Sequence, residues 1–511
     1  MRSKSRQSCL GSPLLVGQIQ RKEWYCRSPV APERSYERVM LAARIFDSDS
    51  VLKFAKLSGD INPIHTNAIA SRRTYAGAPI VHGMHLLLWL LDEVAQTSAA
   101  TESLQALEVH FRNVVYVGEH VYARRIKSRD KLLRHRLRVG EAIVADIAVT
   151  FGMPGLPRIV LDRQSTAIDV ERPRDLNLDQ ISGLSGTVST SVDADALREM
   201  FGAAVAWLGL ETAATLARSS YLVGMLVPGL HSIYGGVDLA LSPSETGRSL
   251  SFAVSEVDAR FRSVSIEVAG GGWNGGILAF GRAPPVSQPS MNDIAGRVSH
   301  DEFRSVHALI VGGSRGLGEL TAKLIAAGGG KSVITYATGE DDALNVAREI
   351  RRWGASCEVL CYDINNAASG QLASLPQAPN QIYYYPSPPS AGRIRQKYSL
   401  ERFENFCDYF VRGFRNLIDT ADAAGWTFSA HYPSSINVEK PQSAMTEWTM
   451  AKASGEVLCA DLARTMPRMR LIVSRLPALP TDQSASLMEM PTTDPIEVLL
   501  PILRDMTQNA L

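Results

Sequence analysis

A cluster of glycines, Gly312-Gly313-Ser314-Arg315-Gly316-Leu317-Gly318, sits between an apolar run from Val306 to Val311 and a helical pattern from Leu317 to Ala327. Downstream, Ser332 to Tyr336 reads as a strand, Asp342 to Trp353 as a helix and Cys357 to Tyr362 as a strand. Strands that alternate with helices pair in parallel, because each crossover helix carries the chain back before the next strand begins. Residues 303–511 are therefore predicted to form an α/β, Rossmann-like, doubly wound parallel sheet. Glycines at such a strand–helix junction allow a tight turn and let phosphates approach the backbone, where the helix start favours negative charge.

The chain upstream has a different rhythm. Gly83 to Ala95 is a long apolar helical run, followed by strand-like runs at 106–117, 120–126, 134–139 and 143–151. One helix followed by alternating strands predicts a helix wrapped by an antiparallel sheet. Residues 185–283 read as a worn copy. Glu108-Val109-His110-Phe111-Arg112-Asn113-Val114 has an echo in Asp258-Ala259-Arg260-Phe261-Arg262-Ser263-Val264, and glycine-turned strand pairs follow at 140–151 and 270–280. Helical runs near 196–226 precede a strand at 232–241. Repetition of this kind predicts two similar halves sharing one sheet. Residues 1–40 read as a flexible extension and residues 284–302 as a Pro/Ser-rich linker.

Bulk properties exclude several classes. The 53 basic and 52 acidic residues leave a net charge of +1, which gives no electrostatic footprint for nucleic acid or an anionic membrane. The apolar run from Leu86 ends at Asp92, and the stretch from Phe201 to Leu226 is interrupted by Glu211 and Arg218, so no membrane span is expected. Six scattered cysteines form no metal-ligand pattern, which points to reduced thiols in a cytoplasmic protein. His82 and His85 lack a third ligand at suitable spacing, so no metal is expected.

The candidate chemistry lies in Ser58-Gly59-Asp60-Ile61-Asn62-Pro63-Ile64-His65, followed by His82-Gly83-Met84. This pattern resembles the MaoC-like, (R)-specific enoyl-CoA hydratase family. The resemblance implies a hot-dog fold for residues 41–175, and with residues 185–283 an α+β double hot-dog. It also implies a site in which His65 is the base, Asp60 holds the same water and takes part in proton transfer, and the Gly83 amide faces the thioester oxyanion. Asn67 departs from the family pattern, which often has an acid there.

The C-terminal block resembles the short-chain dehydrogenase/reductase family, whose Thr-Gly-x-x-x-Gly-x-Gly motif aligns with Val311 to Gly318. The resemblance implies dinucleotide contacts from Gly312, Ser314, Arg315, Gly316, Leu317, Gly318, Asp363 and Lys452. The second strand ends in Thr335-Tyr336-Ala337-Thr338 without an acid, and Arg315 lies in the glycine loop, so NADP is expected over NAD. The family's Tyr-x-x-x-Lys pair with an earlier serine maps onto Trp448, Lys452 and Ser435. An indole delivers no proton near neutral pH, so a restored tyrosine at 448 is expected to raise reductase activity. Tyr383 to Tyr385 and Tyr409-Phe410 stand where the family has asparagine-bearing motifs.

The leading expectation is reversible hydration of enoyl thioesters on CoA or acyl carrier protein, fused to a divergent reductase-like domain, in a monomer or homodimer. Two alternatives stay open: an active NADPH-dependent 3-oxoacyl ketoreductase, and a non-catalytic NADP- and acyl-carrier-binding subunit.

Overall fold

The helix Gly83–Ala95 is buried along nearly its whole length, from Met84 through Leu91. A helix that is apolar on every side needs cover on every side, and an antiparallel sheet together with two further helices provides it. The structure, a computed structural model, describes residues 39–97, 102–129, 131–153, 159–161, 167–243, 247–388, 398–442, 445–482, 484 and 491–508. The extension expected at 1–40 falls almost entirely outside these residues, and the first strand already begins at Val39.

Ten strands build the first sheet: β1 (Val39–Ile45), β2 (Leu104–Phe111), β3 (His120–Arg129), β4 (Leu132–Val139), β5 (Ala142–Phe151), β6 (Ser185–Ser189), β7 (Ser232–Leu241), β8 (Ser249–Asp258), β9 (Ser263–Gly270) and β10 (Trp273–Gly281). Their order is β1-β3-β4-β5-β2-β7-β10-β9-β8-β6. Read outward from the β2–β7 seam, the two halves repeat the same connectivity. At the seam Leu107 faces Leu239 and Val109 faces Val237, so the halves share one ladder and one core. The helices Ala194–Leu208 and Leu210–Tyr221 belong to the second half. The first of them breaks at Phe201 (φ −144°, ψ 49°), and the Ala204 amide beyond the break donates to Asp92 of the buried helix at 2.9 Å.

The topology corrects part of the predicted repeat. The glycine hairpins at 140 and 270 are equivalent, each joining the fourth and fifth strand of its half. The echo of 108–114 at 258–264 is not. Residues 108–111 end β2, whereas 259–262 form the exposed turn between β8 and β9, where Phe261 is solvent-facing. The structural partner of β2 is β7, whose glycines at 235 and 236 hide the likeness.

The expected linker is also corrected. The Val286 amide donates to Asp482 and the Gln288 amide side chain to Pro480, and Met291, Ile294 and Val298 join the C-terminal core. Residues 284–302 are thus docked, with the short helix Met291–Ile294 at their centre.

The second sheet contains β11 (His307–Val311), β12 (Lys331–Tyr336), β13 (Cys357–Cys361), β14 (Gln381–Tyr384), β15 (Phe428–Ser435) and β16 (Met469–Leu476), all parallel, in the order β13-β12-β11-β14-β15-β16. That is the doubly wound order with a switch point between β11 and β14, where ligands of such sheets bind. Among the described residues no helix is long and apolar enough to cross a membrane.

Candidate active site

Local rules place the catalytic candidates. The helix Ser48–Ser58 ends on Gly59 in the left-handed region (φ +76°), which turns the chain sharply. Asn62 then caps the next helix, Pro63–Thr66, by accepting from the Ile64 amide, with Pro63 at its first position. Asp60 is left on the turn between two helices and His65 one turn into the second.

Both face a cavity of about 410 Å³, as does Gly83. Its walls are largely apolar, with Leu86, Phe111, Val223 and Phe280 among them. His65 directs Nδ1 to the Ile80 carbonyl at 2.8 Å, which fixes the proton on Nδ1 and leaves Nε2 with its lone pair. Asp60 is buried. Its Oδ1 accepts from the Asn62 amide at 3.2 Å and its Oδ2 from the Ser220 hydroxyl at 2.7 Å. Desolvation raises the Asp60 carboxyl above its usual range, against the opposing pull of His65 and Ser220. Desolvation also lowers His65, with Asp60 opposing. Burial therefore favours the neutral form of each, against the attraction between them.

His82 occupies the cap position of the helix Gly83–Ala95 but makes no side-chain cap. Its ring instead stacks on His65 at 3.7 Å and sends Nε2 to the Asp60 carbonyl at 3.0 Å. The first-turn amides, Gly83 included, are left without a side-chain cap at the positive end of the helix dipole. A Cβ on Gly83 would sit 3.0 Å from the Phe111 ring, so glycine is what keeps this wall thin. Oxygen or nitrogen atoms of Asp60, His65 and His82 lie within 4.8 Å of one another. The two imidazoles are stacked face to face, however, and rings so arranged do not aim their lone pairs at one shared ion.

The second half contributes directly to the site. Its π-helix, Leu222–Leu226, brings Gly224 against the Asp60 carboxylate, where a Cβ would lie 2.2 Å from Oδ1. The Asn62 side chain donates to the Gly224 and Gly229 carbonyls at 2.9 and 3.1 Å. Ser220 and Gly224 carry no motif, and sequence reading missed them. The only available signal was the pair of small residues inside an otherwise apolar helical run.

A second cleft of about 580 Å³ opens at the switch point of the parallel sheet. Gly312, Ser314, Arg315, Gly316, Leu317 and Asp363 line it. Gly318 packs beneath, where a Cβ would meet the Gly312 carbonyl at 2.3 Å. Gly312 has φ +79°, a value that favours glycine. These residues fit the adenosine and pyrophosphate of a dinucleotide, with backbone amides exposed at the start of the helix Gly316–Ala327. The opposite wall comes from the first sheet's side of the molecule, with Ile69, Arg72 and Pro79.

Residues 29–148 match the family model described as MaoC like domain. The N-terminal region carries a MaoC-like domain. The mitochondrial 3-hydroxyacyl-[acyl-carrier-protein] dehydratase of Arabidopsis thaliana is 26% identical over 83 residues, which is 16% of this chain. The chain thus spans about half, 49%, of that curated relative. Solved structures similar to this chain include a short chain dehydrogenase from Burkholderia cenocepacia in complex with NADP (19% identity, TM-score 0.35, covering 40% of this chain and 91% of that one). Another is a 3-oxoacyl (acyl-carrier-protein) reductase from Agrobacterium tumefaciens (19%, TM-score 0.31, 35% and 73%).

The MaoC-like domain holds its three predicted site residues on one cavity, whereas of the predicted reductase residues Trp448 and Lys452 gather on Phe410, outside the cleft lining. Lys452 does not line the cleft. Its ammonium donates to the Pro433 carbonyl at 2.7 Å and lies 3.9 Å from the centre of the Phe410 ring, and burial pushes it down to about 7. Ser435 accepts from the Asn437 amide at 3.1 Å and caps a turn. Trp448 packs edge-on to Phe410. The expectation that Lys452 contacts the nucleotide is therefore corrected. Tyr383 and Tyr384 are buried and hydrogen-bonded to Gln381 and Tyr409, and Tyr385 pairs with Thr321. None of the three stands in for the missing tyrosine. Arg315, on the cleft wall, donates to Asp482 at 3.0 Å and to the Arg72 carbonyl at 2.8 Å. The guanidinium at the end of β12 is that of Arg72, which bonds Thr338 at 3.0 Å.

Proposed function

We propose that the chain catalyses reversible addition of water to trans-2-enoyl thioesters, giving (R)-3-hydroxyacyl thioesters carried on CoA or acyl carrier protein. The convergence of Asp60, His65 and the Gly83 amide on one apolar-walled cavity carries this reading. His65 Nε2 takes a proton from water while the oxygen adds to C3. Negative charge passes to the thioester oxygen, which the Gly83 amide faces. Asp60, whose protonated form burial favours, gives its proton to the α-carbon. The proton on His65 then returns to Asp60, and both groups are restored. Dehydration runs the same steps backwards. The carrier protein in the Arabidopsis relative's name supports an acyl thioester as the substrate class.

In this reading the ten-stranded sheet is a double hot-dog whose second half has given up its own acid–base pair. That half now braces Asp60 through Ser220 and Gly224. The C-terminal sheet is read as a divergent short-chain dehydrogenase/reductase domain that binds NADP in the cleft. The ketoreductase alternative is disfavoured by the burial of Lys452 under Phe410. Purified chain with crotonyl-CoA, followed by loss of enoyl absorbance, tests the hydratase assignment. NADPH oxidation with acetoacetyl-CoA tests the reductase alternative, with no turnover expected.

A further inference from the structure

Residues 68–80 serve two cavities at once. Tyr75 and Ile80 face the cavity that holds Asp60 and His65. Ile69, Arg72, Gly77 and Pro79 face the cleft above the glycine loop. A single residue step thus separates the cleft wall at Pro79 from the Ile80 carbonyl that holds His65 at 2.8 Å. The Ile80 amide is itself tied to the Ile64 carbonyl at 3.2 Å, beside His65.

Arg72 is built into the cleft. Its side chain pairs with Asp342 and donates Nη1 to Thr338. It lies so close to Gly339 that a Cβ there would fall 2.0 Å from Nη2. Arg73 joins Asp342 and Asp482, and Arg315 closes the network through Asp482. Within this network the Arg72 Nε is buried and has no hydrogen-bond partner. Thr338 follows the second strand of the parallel sheet, where the ribose 2′ position of a bound dinucleotide falls.

We propose that a dinucleotide seated on the glycine loop is gripped from the opposite wall by Arg72 of the MaoC-like domain, and that its presence is transmitted to His65 through residues 77–80. The inference rests on the nucleotide reading above and adds to it a specificity residue and a coupling between the two sites. A 2′-phosphate accepts a forked, charge-assisted contact that a 2′-hydroxyl does not. Arg72 therefore favours NADP over NAD. Linkage requires the reverse effect as well, so an acyl thioester in the first cavity changes nucleotide affinity by the same factor.

Titration of the full-length chain with NADP⁺ and NAD⁺, read by tryptophan fluorescence, tests the grip. Arg72→Ala is expected to weaken NADP⁺ about tenfold while leaving NAD⁺ within about twofold, as expected for loss of a charge-assisted fork. Arg72→Lys keeps the charge at Asp342 without the fork, and should show the same selectivity loss in smaller measure. Hydrogen exchange tests the transmission. Saturating NADP⁺ should slow exchange at residues 76–81 of the native sequence, but not in Ser314→Asp, which places a carboxylate in the phosphate loop. Unchanged NADP⁺/NAD⁺ preference in both Arg72 variants, or exchange at 76–81 that ignores bound NADP⁺, overturns the proposal alone. Failure of the unaltered chain to bind either nucleotide overturns the underlying reading together with it.

Discussion

The Ser220 hydroxyl donates to the Asp60 carboxylate at 2.7 Å, across 160 residues of sequence and between the two halves of one sheet. The half that lacks an acid and a base of its own thus sets the environment of the acid in the other. Ser220 favours ionised Asp60, so its loss pushes the carboxyl further up. Ser220→Ala is expected to move the alkaline limb of the hydration profile to higher pH and to lower kcat/KM by up to about tenfold, the scale of one hydrogen bond. A profile that superimposes on that of the unaltered chain would remove Ser220 from the account.

Gly224 has no room for a side chain. Gly224→Ala places a methyl within 2.2 to 2.4 Å of both Asp60 oxygens and forces the carboxylate or the π-helix to move. Overpacking of this kind costs about 1–3 kcal/mol. The expected outcome is a lower thermal midpoint together with strongly reduced hydration. A midpoint and turnover both unchanged would show that the π-helix yields freely.

The pH profile also carries the sign of the His65 shift. Desolvation lowers this imidazole below its ordinary value of 6.5. A base must be neutral, and a lowered pKa keeps it neutral to lower pH. Hydration should therefore persist as pH falls through 6.5, and its acid limb should lie below that point. An acid limb centred at or above 6.5 would mean that the Asp60 charge outweighs burial in the working enzyme.

Much of this was legible in the sequence, for physical reasons that differ by region. The parallel sheet announced itself because buried strands are continuous apolar runs and the glycine loop obeys a steric rule. Asp60 and His65 were legible on one turn because a glycine cap, an asparagine cap and a proline at the first helical position fix it locally, while Gly83 was read from the family resemblance. Ser220, Gly224 and Arg72 were not, since each acts on a residue or cleft wall at least 160 positions away and none needs a motif. The false echo at 258–264 arose because charge and aromatic pattern repeat more readily than register does. Lys452 misled for a related reason. Its spacing from position 448 is preserved, while Phe410 and Pro433, distant in sequence, decide where the ammonium goes.

That last point reverses one expectation from sequence. Trp448→Tyr was expected to raise reductase activity, but a phenol at 448 still lacks a lysine on the cleft wall. NADPH oxidation with acetoacetyl-CoA is now expected to stay at background in this variant. Turnover rising by about 10²-fold or more, the range one positioned acid contributes, would show that Lys452 leaves Pro433 when nucleotide is bound.

The central claim is that His65 as base and Asp60 as acid add one water across the enoyl double bond beside the Gly83 amide. Its most direct test is crotonyl-CoA hydration by the unaltered chain, Asp60→Asn and His65→Ala, with folding checked by circular dichroism. The account predicts turnover by the unaltered chain and a loss of about 10²–10⁴-fold or more in each folded variant. Hydration that survives in either folded variant at the native rate would contradict it.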